Sequence, residues 1–426
     1  MQIAILLLLF ILAFRVPVAF ADEAPSPTLA PPQATTIAEP DQPTDVDRPF
    51  KPKALEDDYD SDAMLEKIES NVYSPSQITR QQVIDYIKNA KDKKTRIRID
   101  LDLTTNLAGL DLSGIDFRGA QIRGVDLRKA NFAGCDLSNT IIEQSLASGA
   151  NFDGAKLTKA SIAGSRLDNA SFDSTKMLAV FAEDAILTNA KFNSVNANKA
   201  SFQRADLSGA TITNSDFIGG DFTSASLDNT KIRDSQFKFA DFTKASFQKA
   251  KVINANFYAG IFDQTNAIKS SFSNSIFYAA TFTNSKFMQT SFIKAYLEAS
   301  EFYHSDFKNS NFSGANLDAI YFEGANFSSS DLTSTSLNDT EISDTNMSFC
   351  IFSSAKIIET SLLNVNLSRA IFDRASLENV VFNSSKLDSA IFSNSSLNKV
   401  AFNNTSIRDI KFENNDIGLI RGLPTD

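Results

Sequence analysis

A bulky apolar residue falls at every fifth position over most of this chain. From Leu107 to Ile417, steps of five give 63 positions, of which 59 carry Leu, Phe, Ile, Met or Val. The other four are Ala147, Ala182, Ala197 and Ala267. On an α-helix, steps of five residues turn about 140° and spread the apolar residues around the cylinder, whereas on a flat strand residues i and i+5 face opposite sides. Neither element fits, so the chain must bend at every repeat.

The positions on either side of each apolar centre are also constrained. The residue two before the centre is nearly always small, and the residue two after it is often Gly or Asn. Twelve of the 16 Gly lie there, which suits a corner with positive φ. Each repeat therefore predicts a short extended side with two inward residues, followed by a corner.

The distribution of Phe indicates how many sides form one coil. In steps of 20 the centres fall into four columns, and Phe fills 11 of 16 positions in the column through Phe132 and 9 of 15 in the column through Phe202. The other two columns hold only 4 and 5 Phe in 16 positions each. Because rich and poor columns alternate, we predict an all-β, four-sided parallel coil with two opposing Phe walls and two opposing Leu walls.

The repeat itself resembles a known family. The pattern Ala, then Asp or Asn, then Leu or Phe is seen at 130–132, 150–152, 205–207, 315–317 and 325–327, and it is similar to that of the pentapeptide repeat proteins. The resemblance covers about three quarters of the chain. It implies a right-handed, quadrilateral parallel β-helix solenoid, with the centre and the small residue inside and the other three residues outside.

Composition divides the chain into four segments. Residues 1–21 combine a short apolar run with Ala19-Phe20-Ala21, which resembles a signal-peptidase site, so we predict a signal peptide; an uncleaved membrane anchor is the alternative. Residues 22–54 form a Pro-rich linker with the composition of a disordered tether. We assign residues 55–95 to a helical N-terminal cap and 96–426 to the β-helix. The product is expected to be exported, either periplasmic or secreted.

The cap is predicted in more detail. Thr79 with Gln82 matches a capping box, and Ile78 with Val83 is placed as a hydrophobic staple. The helix is predicted over 76–91, covering the first coil with one apolar face. The alternating segment 96–103 (RIRIDLDL) predicts a strand that enters the first coil.

Residues able to carry catalysis are scarce. His304 is the one histidine and has no nucleophile or second His beside it, so a surface corner is the preferred interpretation. Cys135 and Cys350 occupy the inward small position almost 11 coils apart and cannot pair with each other. The sequence carries no phosphate loop and no metal-ligand spacing. We therefore predict a protein that is not an enzyme, with no cofactor and no metal.

Two outward sets of residues are candidate binding surfaces. The first is a stripe at 20-residue spacing, made of Lys238, Tyr258, Tyr278, Glu298 and Asp318, with Tyr296, Tyr303 and Tyr321 on the same face or the adjacent one. It lies where the charge changes sign, because residues 186–296 hold 12 Lys and Arg against 7 acids while 297–346 hold 9 acids and Lys308. Stacked Glu298 and Asp318 are expected to repel each other. A solvated surface is the alternative.

The second set is apolar and consists of Ile141, Leu146, Phe181 and Ile186. These residues occupy outward positions near Ala147 and Ala182, where the centres are small. A local β-bulge that turns Leu146 and Phe181 inward is the preferred explanation. The alternative is a contact patch for another chain.

Three functions remain open. The first is a non-enzymatic exported scaffold that presents flat β-faces to a protein or polysaccharide partner, with no nucleic acid ligand and an undetermined oligomeric state. The second is implied by the resemblance, since some pentapeptide repeat proteins mimic duplex DNA and bind type II topoisomerases. The net charge of −10 fits mimicry, but half of the excess lies before residue 107 and the repeats have a basic middle. The third, a carbohydrate-active β-helix enzyme, requires paired acids in a cleft.

Overall fold

The computed structural model describes residues 73–423, and these form a parallel β-solenoid. Successive coils pair in parallel with a register of 20 residues, as in Lys191↔Thr211 and Ile391↔Lys411. Every position two after a centre, from Gly109 to Asn414, has positive φ. Four such corners fall in each 20-residue coil, which agrees with the predicted four sides. The right-handed sense of the coil stays a prediction.

The described elements are two helices and many short strands. The helices are α1 (Arg80–Asp92) and α2 (Ile99–Asp102). The strands are β1 (Lys191–Asn193), β2 (Thr211–Thr213), β3 (Lys231–Arg233), β4 (Lys251–Ile253), β5 (Ser271–Ser273), β6 (Thr281–Thr283), β7 (Glu301–Tyr303), β8 (Tyr321–Glu323), β9 (Ser336–Asn338), β10 (Glu341–Ser343), β11 (Lys356–Ile358), β12 (Ser361–Leu363), β13 (Ile371–Asp373), β14 (Ser376–Glu378), β15 (Val381–Asn383), β16 (Ile391–Ser393), β17 (Ser396–Asn398), β18 (Val400–Asn403), β19 (Lys411–Glu413), β20 (Asp416–Ile417) and β21 (Ile420–Arg421).

The strands stack into flat sheets along the faces of the solenoid. One sheet contains β1 to β5 in sequence order, and a second runs β6-β7-β8-β10-β12-β15-β18-β21. The third is β9-β11-β14-β17-β20, and β13-β16-β19 continues the face of β1 to β5. Isolated parallel bridges at the same 20-residue spacing fill the remaining positions.

The Asp or Asn of the repeat motif stabilises the corner that follows it. Its side-chain oxygen accepts a hydrogen bond from the backbone N–H two residues later, at 3.1 Å for Asn131 with Ala133 and 2.9 Å for Asp206 with Ser208. This is the local bond of an Asx turn. It satisfies an amide that the ladder leaves free, which explains why Asp and Asn recur directly before the centre.

The small inward residue also carries a specific hydrogen bond. Ser305 Oγ donates to the carbonyl of Phe282 at 2.7 Å and accepts from the N–H of Ser285 at 3.0 Å. Hydroxyls at this position therefore form hydrogen bonds with buried backbone N–H and carbonyl groups.

The two cysteines occupy the same inward position and also contact backbone carbonyls. Cys135 Sγ lies 3.0 Å from the Leu112 carbonyl oxygen, and Cys350 Sγ lies 2.9 Å from that of Phe327. Burial raises the pKa of the Cys135 thiol to about 11 and that of Cys350 to about 12.

Stacked phenylalanine rings fill the interior. Along one wall Phe202 and Phe222 stack with ring centroids 5.1 Å apart and 7° between their planes, and Phe282 and Phe302 with 4.8 Å and 2°. Rings of adjacent walls also meet edge to face, as in Phe257 with Phe262 at 5.5 Å and 71°. The predicted stacking of Phe columns is confirmed.

Helix α1 covers the first coil. Thr79 and Gln82 form the predicted capping box, and Val83 and Ile87 are buried against the core of the solenoid. The Arg80 guanidinium donates to the Asp111 carbonyl at 3.0 Å. The strand predicted over 96–103 is wrong. Only Arg98 forms a bridge, to Gln121, and the chain then turns into α2 through hydrogen bonds such as Asp102 N–H to the Arg98 carbonyl.

The predicted signal peptide at 1–21 and linker at 22–54 lie outside the described residues. Between residues 73 and 423, no helix has the length and apolar character needed to cross a bilayer.

Candidate functional site

An exposed aromatic cluster follows the predicted tyrosine stripe. The cluster, called the aromatic patch below, consists of Phe239, Tyr258, Ile276, Tyr278 and Tyr296. Phe239 is 55 % exposed, and Tyr258, Ile276 and Tyr296 are 38–39 % exposed. The 20-residue register places Tyr258 beside Tyr278 and Ile276 beside Tyr296 on one face of the solenoid. This is a contiguous apolar surface on consecutive coils, a feature typical of interaction sites.

The rings of the patch stack on one another. Tyr258 and Tyr278 lie 5.6 Å apart with 10° between their planes, and Tyr278 and Tyr296 lie 6.3 Å apart with 14°. Phe239 closes one end of the stack, edge to face with Tyr258 at 5.3 Å and 76°. Tyr278 has a neighbouring ring on both faces, so it presents mainly its edge and hydroxyl group, while Tyr296 at the other end of the stack has one ring neighbour among the described residues.

Two members of the patch were missed by sequence reasoning. Phe239 occupies a corner with φ of 58°, a conformation that bulky residues rarely adopt. An aromatic residue two positions after a centre, where Gly or Asn is usual, was the signal that could have identified it. Ile276 directly precedes a centre on the tyrosine face. It could have been identified by taking the residue before each centre, as well as the residue after it, in steps of 20.

The carboxylates of the stripe bind different partners. Glu298 accepts hydrogen bonds from the Tyr296 hydroxyl and from Asn316 Nδ2, the latter at 3.3 Å. Asp318 accepts from Ser336 Oγ at 2.7 Å and from the Asn338 N–H at 2.8 Å. Each carboxylate therefore has its own donors, and the repulsion expected between the two charges stays a prediction. The bond to Glu298 raises the pKa of Tyr296 to about 12.

The adjacent face carries the other two tyrosines of the repeat region. Tyr303 and Tyr321 have ring centroids 5.4 Å apart, and the Tyr321 hydroxyl donates to Glu323 at 3.2 Å. Burial raises the pKa of Tyr303. Glu301 is partly buried on the same face, where burial and the charge of Asp263 raise its pKa. Lys238 lies at the far end of the stripe, next to Phe239 in the chain.

The second candidate set does not form the predicted bulge. Ala147 and Ala182 stay fully buried at their centres, and the 20-residue register continues through Asp126↔Leu146 and Ser161↔Phe181. Leu146 and Phe181 therefore remain at outward positions, yet only 3 % and 7 % of them is exposed. Their neighbours in the same columns, Ile141 and Ile186, are partly exposed. A contact patch built from these four residues stays a prediction, with little apolar surface to offer.

His304 lies at an exposed corner with φ of 50°. In residues 73–423 no group of three or more His, Cys, Asp or Glu is arranged to hold a metal ion.

Family models match most of the repeat region. The model described as pentapeptide repeats (8 copies) matches residues 105–141, 142–173, 185–223, 221–257, 350–387 and 375–414, and the pentapeptide repeat region model matches 285–362. The chain belongs to the pentapeptide repeat family. No curated protein matches the sequence.

Several solved structures are similar to this pentapeptide repeat protein. One is HetL, involved in heterocyst differentiation regulation in the cyanobacterium Nostoc sp. strain PCC 7120, with 19 % identity, 49 % of this chain and 88 % of HetL covered, and a TM-score of 0.23. Another is a trypsin-treated variant of QnrB1, a plasmid-mediated fluoroquinolone resistance protein, with 15 % identity, 48 % and 79 % covered, and a TM-score of 0.22. A pentapeptide repeat protein of the Arabidopsis thaliana thylakoid lumen has 25 % identity, 32 % and 68 % covered, and a TM-score of 0.11.

Proposed function

We propose that this pentapeptide repeat protein is a non-enzymatic scaffold that binds a protein partner through the aromatic patch. The observation that carries the proposal is the exposure of stacked aromatic side chains on consecutive coils of one flat face. Tyr and Phe are enriched at protein interfaces because they bury large areas with few rotatable bonds.

The stacking geometry favours a protein over a polysaccharide. Sugar rings pack their C–H groups against exposed aromatic faces, and here Tyr258, Tyr278 and Tyr296 turn their faces toward one another. Ring edges and hydroxyls remain for the partner. Edges pack well against aliphatic and aromatic side chains, and the hydroxyls of Tyr258 and Tyr278 can donate hydrogen bonds at the rim, whereas that of Tyr296 already donates to Glu298.

The test compares the native chain with two variants. In the patch variant, Tyr258→Thr, Tyr278→Thr and Tyr296→Thr remove the rings while keeping residues that suit strands. In the control variant, Ile351→Thr and Ile371→Thr change exposed residues of another face. Proteins captured by the native chain are identified and purified, and their affinities for all three chains are measured by calorimetry, together with a panel of polysaccharides.

The proposal predicts a purified protein that binds the native and control chains and binds the patch variant at least about tenfold more weakly. Equal binding by all three chains would contradict it. Patch-dependent binding of a polysaccharide would replace the protein partner with a carbohydrate one, and capture of a type II topoisomerase would support the family alternative.

We further propose that the protein is exported. The apolar run of residues 3–14 followed by Ala19-Phe20-Ala21 supports this. The test is the mass and cell fraction of the native protein. A product that begins at Asp22 outside the cytoplasm is expected, whereas a full-length cytoplasmic product would refute export and a full-length product in the membrane fraction would indicate an anchor.

A further inference from the structure

An unusual row of alanines lies beside the aromatic patch. Ala259, Ala279, Ala299 and Ala319 occupy the same corner on four consecutive coils, each with φ between 50° and 59°. For a residue with a Cβ atom this conformation costs about 1 kcal/mol or more, and Ala has no polar side chain to compensate as Asn and Asp do. The corner positions elsewhere are mostly Gly, Asn, Lys or Ser, and Ala occurs at just one other corner, Ala179.

The alanine row connects two aromatic faces. On one side of it lie Tyr258, Tyr278 and Tyr296, and on the other side Ile261 and the strands that carry Tyr303 and Tyr321. A long side chain at these corners would separate the two faces. With Ala there, a partner can contact both faces at once, and the combined surface is larger than the patch alone.

The charged residues on the two faces beside this corner are all acidic. From residue 256 to 343, the outward positions of the two faces and the corner between them hold no Lys or Arg. They carry carboxylates, among them Asp263, Glu298, Glu301, Asp318, Glu323 and Glu341.

No described residue forms an ion pair with these carboxylates. Ion pairs of the described residues involve residues 80–204 and 373–408, and none involves a residue between 205 and 372. The partly buried Glu301 accepts no hydrogen bond from any described residue. Carboxylates that have no cationic partner among the described residues and lie next to apolar surface are expected to attract cations of a partner.

We infer that the alanine corner and the aromatic side chains on both sides of it dock a protein segment in which Arg or Lys side chains accompany apolar ones. The apolar side chains pack on the tyrosine edges and the alanines, while the cations reach the carboxylates. The inference rests on the proposed function and specifies the chemistry of the partner.

The alanines permit a matched test. Lys is accepted at eight corners of this solenoid, including Lys244, Lys269 and Lys294, so Ala279→Lys with Ala299→Lys is compatible with the fold. This double variant obstructs the corner and places two positive charges among the carboxylates. Ala179→Lys makes the same change at a corner with the same backbone conformation, on coils outside the patch.

The probe is a fluorescein-labelled twelve-residue peptide that alternates Arg and Leu, with an alternating Glu and Leu peptide for comparison. Binding to the full chain is followed by fluorescence anisotropy at about 50 mM and about 300 mM NaCl. The Arg–Leu peptide is expected to bind more tightly than the Glu–Leu peptide and more weakly at high salt. Its affinity should fall at least about tenfold in the double variant and stay unchanged in Ala179→Lys.

The inference is overturned if the Arg–Leu peptide does not bind the native chain, if both peptides bind equally, or if Ala179→Lys weakens binding as much as the double variant. Its failure differs from failure of the proposed function. A natural partner that binds the Ala279→Lys, Ala299→Lys chain normally but not the tyrosine patch variant would leave the proposed function intact and refute only the cationic partner.

Discussion

The coils between residues 107 and 200 and those between 202 and 327 share one backbone geometry but differ in core and surface. In the first region Phe rings stack along one wall, from Phe132 to Phe192, and the other centres are mostly Leu, Ile and Ala. Acidic side chains there form ion pairs, as Asp116 does with Lys91 at 2.8 Å and with Arg118 at 2.7 Å. In the second region Phe occupies all four walls, and among the described residues of this region Arg204 alone forms an ion pair, with Asp184.

The difference indicates that the composition of the core and that of the surface can vary independently in this fold. Hydrogen bonds of the ladder and corners are the same in both regions, so the coil can form with either core. The second region combines the denser aromatic core with a surface of exposed rings and of carboxylates that have no ion-pair partner among the described residues, and we expect this surface to contribute little to folding. Locally unfavourable features of this kind are typical of functional sites.

The largest expected effect concerns the core. Phe262 stacks on Phe242 and Phe282 at 5.0 and 5.1 Å and also meets rings of the adjacent walls, whereas Phe172 stacks only within its column. Phe262→Ala is expected to lower the free energy of unfolding by about 3–5 kcal/mol, and Phe172→Ala by less, because fewer aromatic pairs are lost. Urea unfolding measures both losses. A greater loss for Phe172→Ala would contradict the claim that the second region has the more strongly packed aromatic core.

The second effect should be the same in both regions. Ser145 Oγ donates to the Ile122 carbonyl at 2.8 Å and accepts from the Val125 N–H at 3.1 Å, the same pair of bonds that Ser305 makes. Ser145→Ala and Ser305→Ala are each expected to cost about 1–3 kcal/mol, since both leave buried backbone groups without partners. If the two losses in urea unfolding differ by more than about 1 kcal/mol, the ladder is not independent of the core.

Opposite responses to pH are expected at the surface. Hydrogen bonds from Arg118 and Lys91 lower the pKa of Asp116, so its ionised form stabilises the fold above the ordinary carboxyl pKa and that contribution is lost as pH falls. Burial and Asp263 raise the pKa of Glu301, so its ionisation destabilises the fold as pH rises above the ordinary value.

Two substitutions test these signs. Asp116→Asn should lower stability at pH 7 by no more than about 1 kcal/mol, because the pair is substantially exposed. Glu301→Gln should raise stability at pH 7. The Glu301→Gln difference should vanish near pH 3, which lies below both the ordinary and the raised pKa of that carboxyl, whereas the Asp116→Asn difference should persist there, because the lowered pKa keeps the Asp116 carboxyl ionised, and be lost at still lower pH. Thermal unfolding across this range measures them, and a loss of stability at pH 7 in Glu301→Gln would show that its charge has a partner.

The sequence was sufficient to predict most of the fold because the repeat is local. A five-residue period can close only by bending, and the alternation of Phe-rich columns requires an even number of sides. The entry to the first coil was not predictable in the same way. Residues 96–103 alternate as a strand does, but a single bridge at Arg98 is followed by the turn of α2, since the chain must change direction to reach Leu107.

The candidate site was predictable only in part. Taking outward residues in steps of 20 placed Tyr258, Tyr278 and Tyr296 close together, and the placement is correct because the 20-residue register between coils is constant. It could not show that the rings would stack on one another or that Glu298 would bind Tyr296, since both depend on side-chain rotamers. Nor could it show that Leu146 and Phe181 would be covered without a bulge, because that depends on packing among outward side chains.

The stability of a chain that lacks the three patch tyrosines tests the central claim most directly. If the aromatic patch serves binding, the triple variant Tyr258→Thr, Tyr278→Thr, Tyr296→Thr should keep its free energy of unfolding within about 2 kcal/mol of the native value, because cross-strand contacts on an exposed face contribute little each. The measurement is urea unfolding of the full chain, with Ile351→Thr, Ile371→Thr as the control. A loss comparable to that of Phe262→Ala would contradict the account and make the stacked tyrosines a structural support of the solenoid.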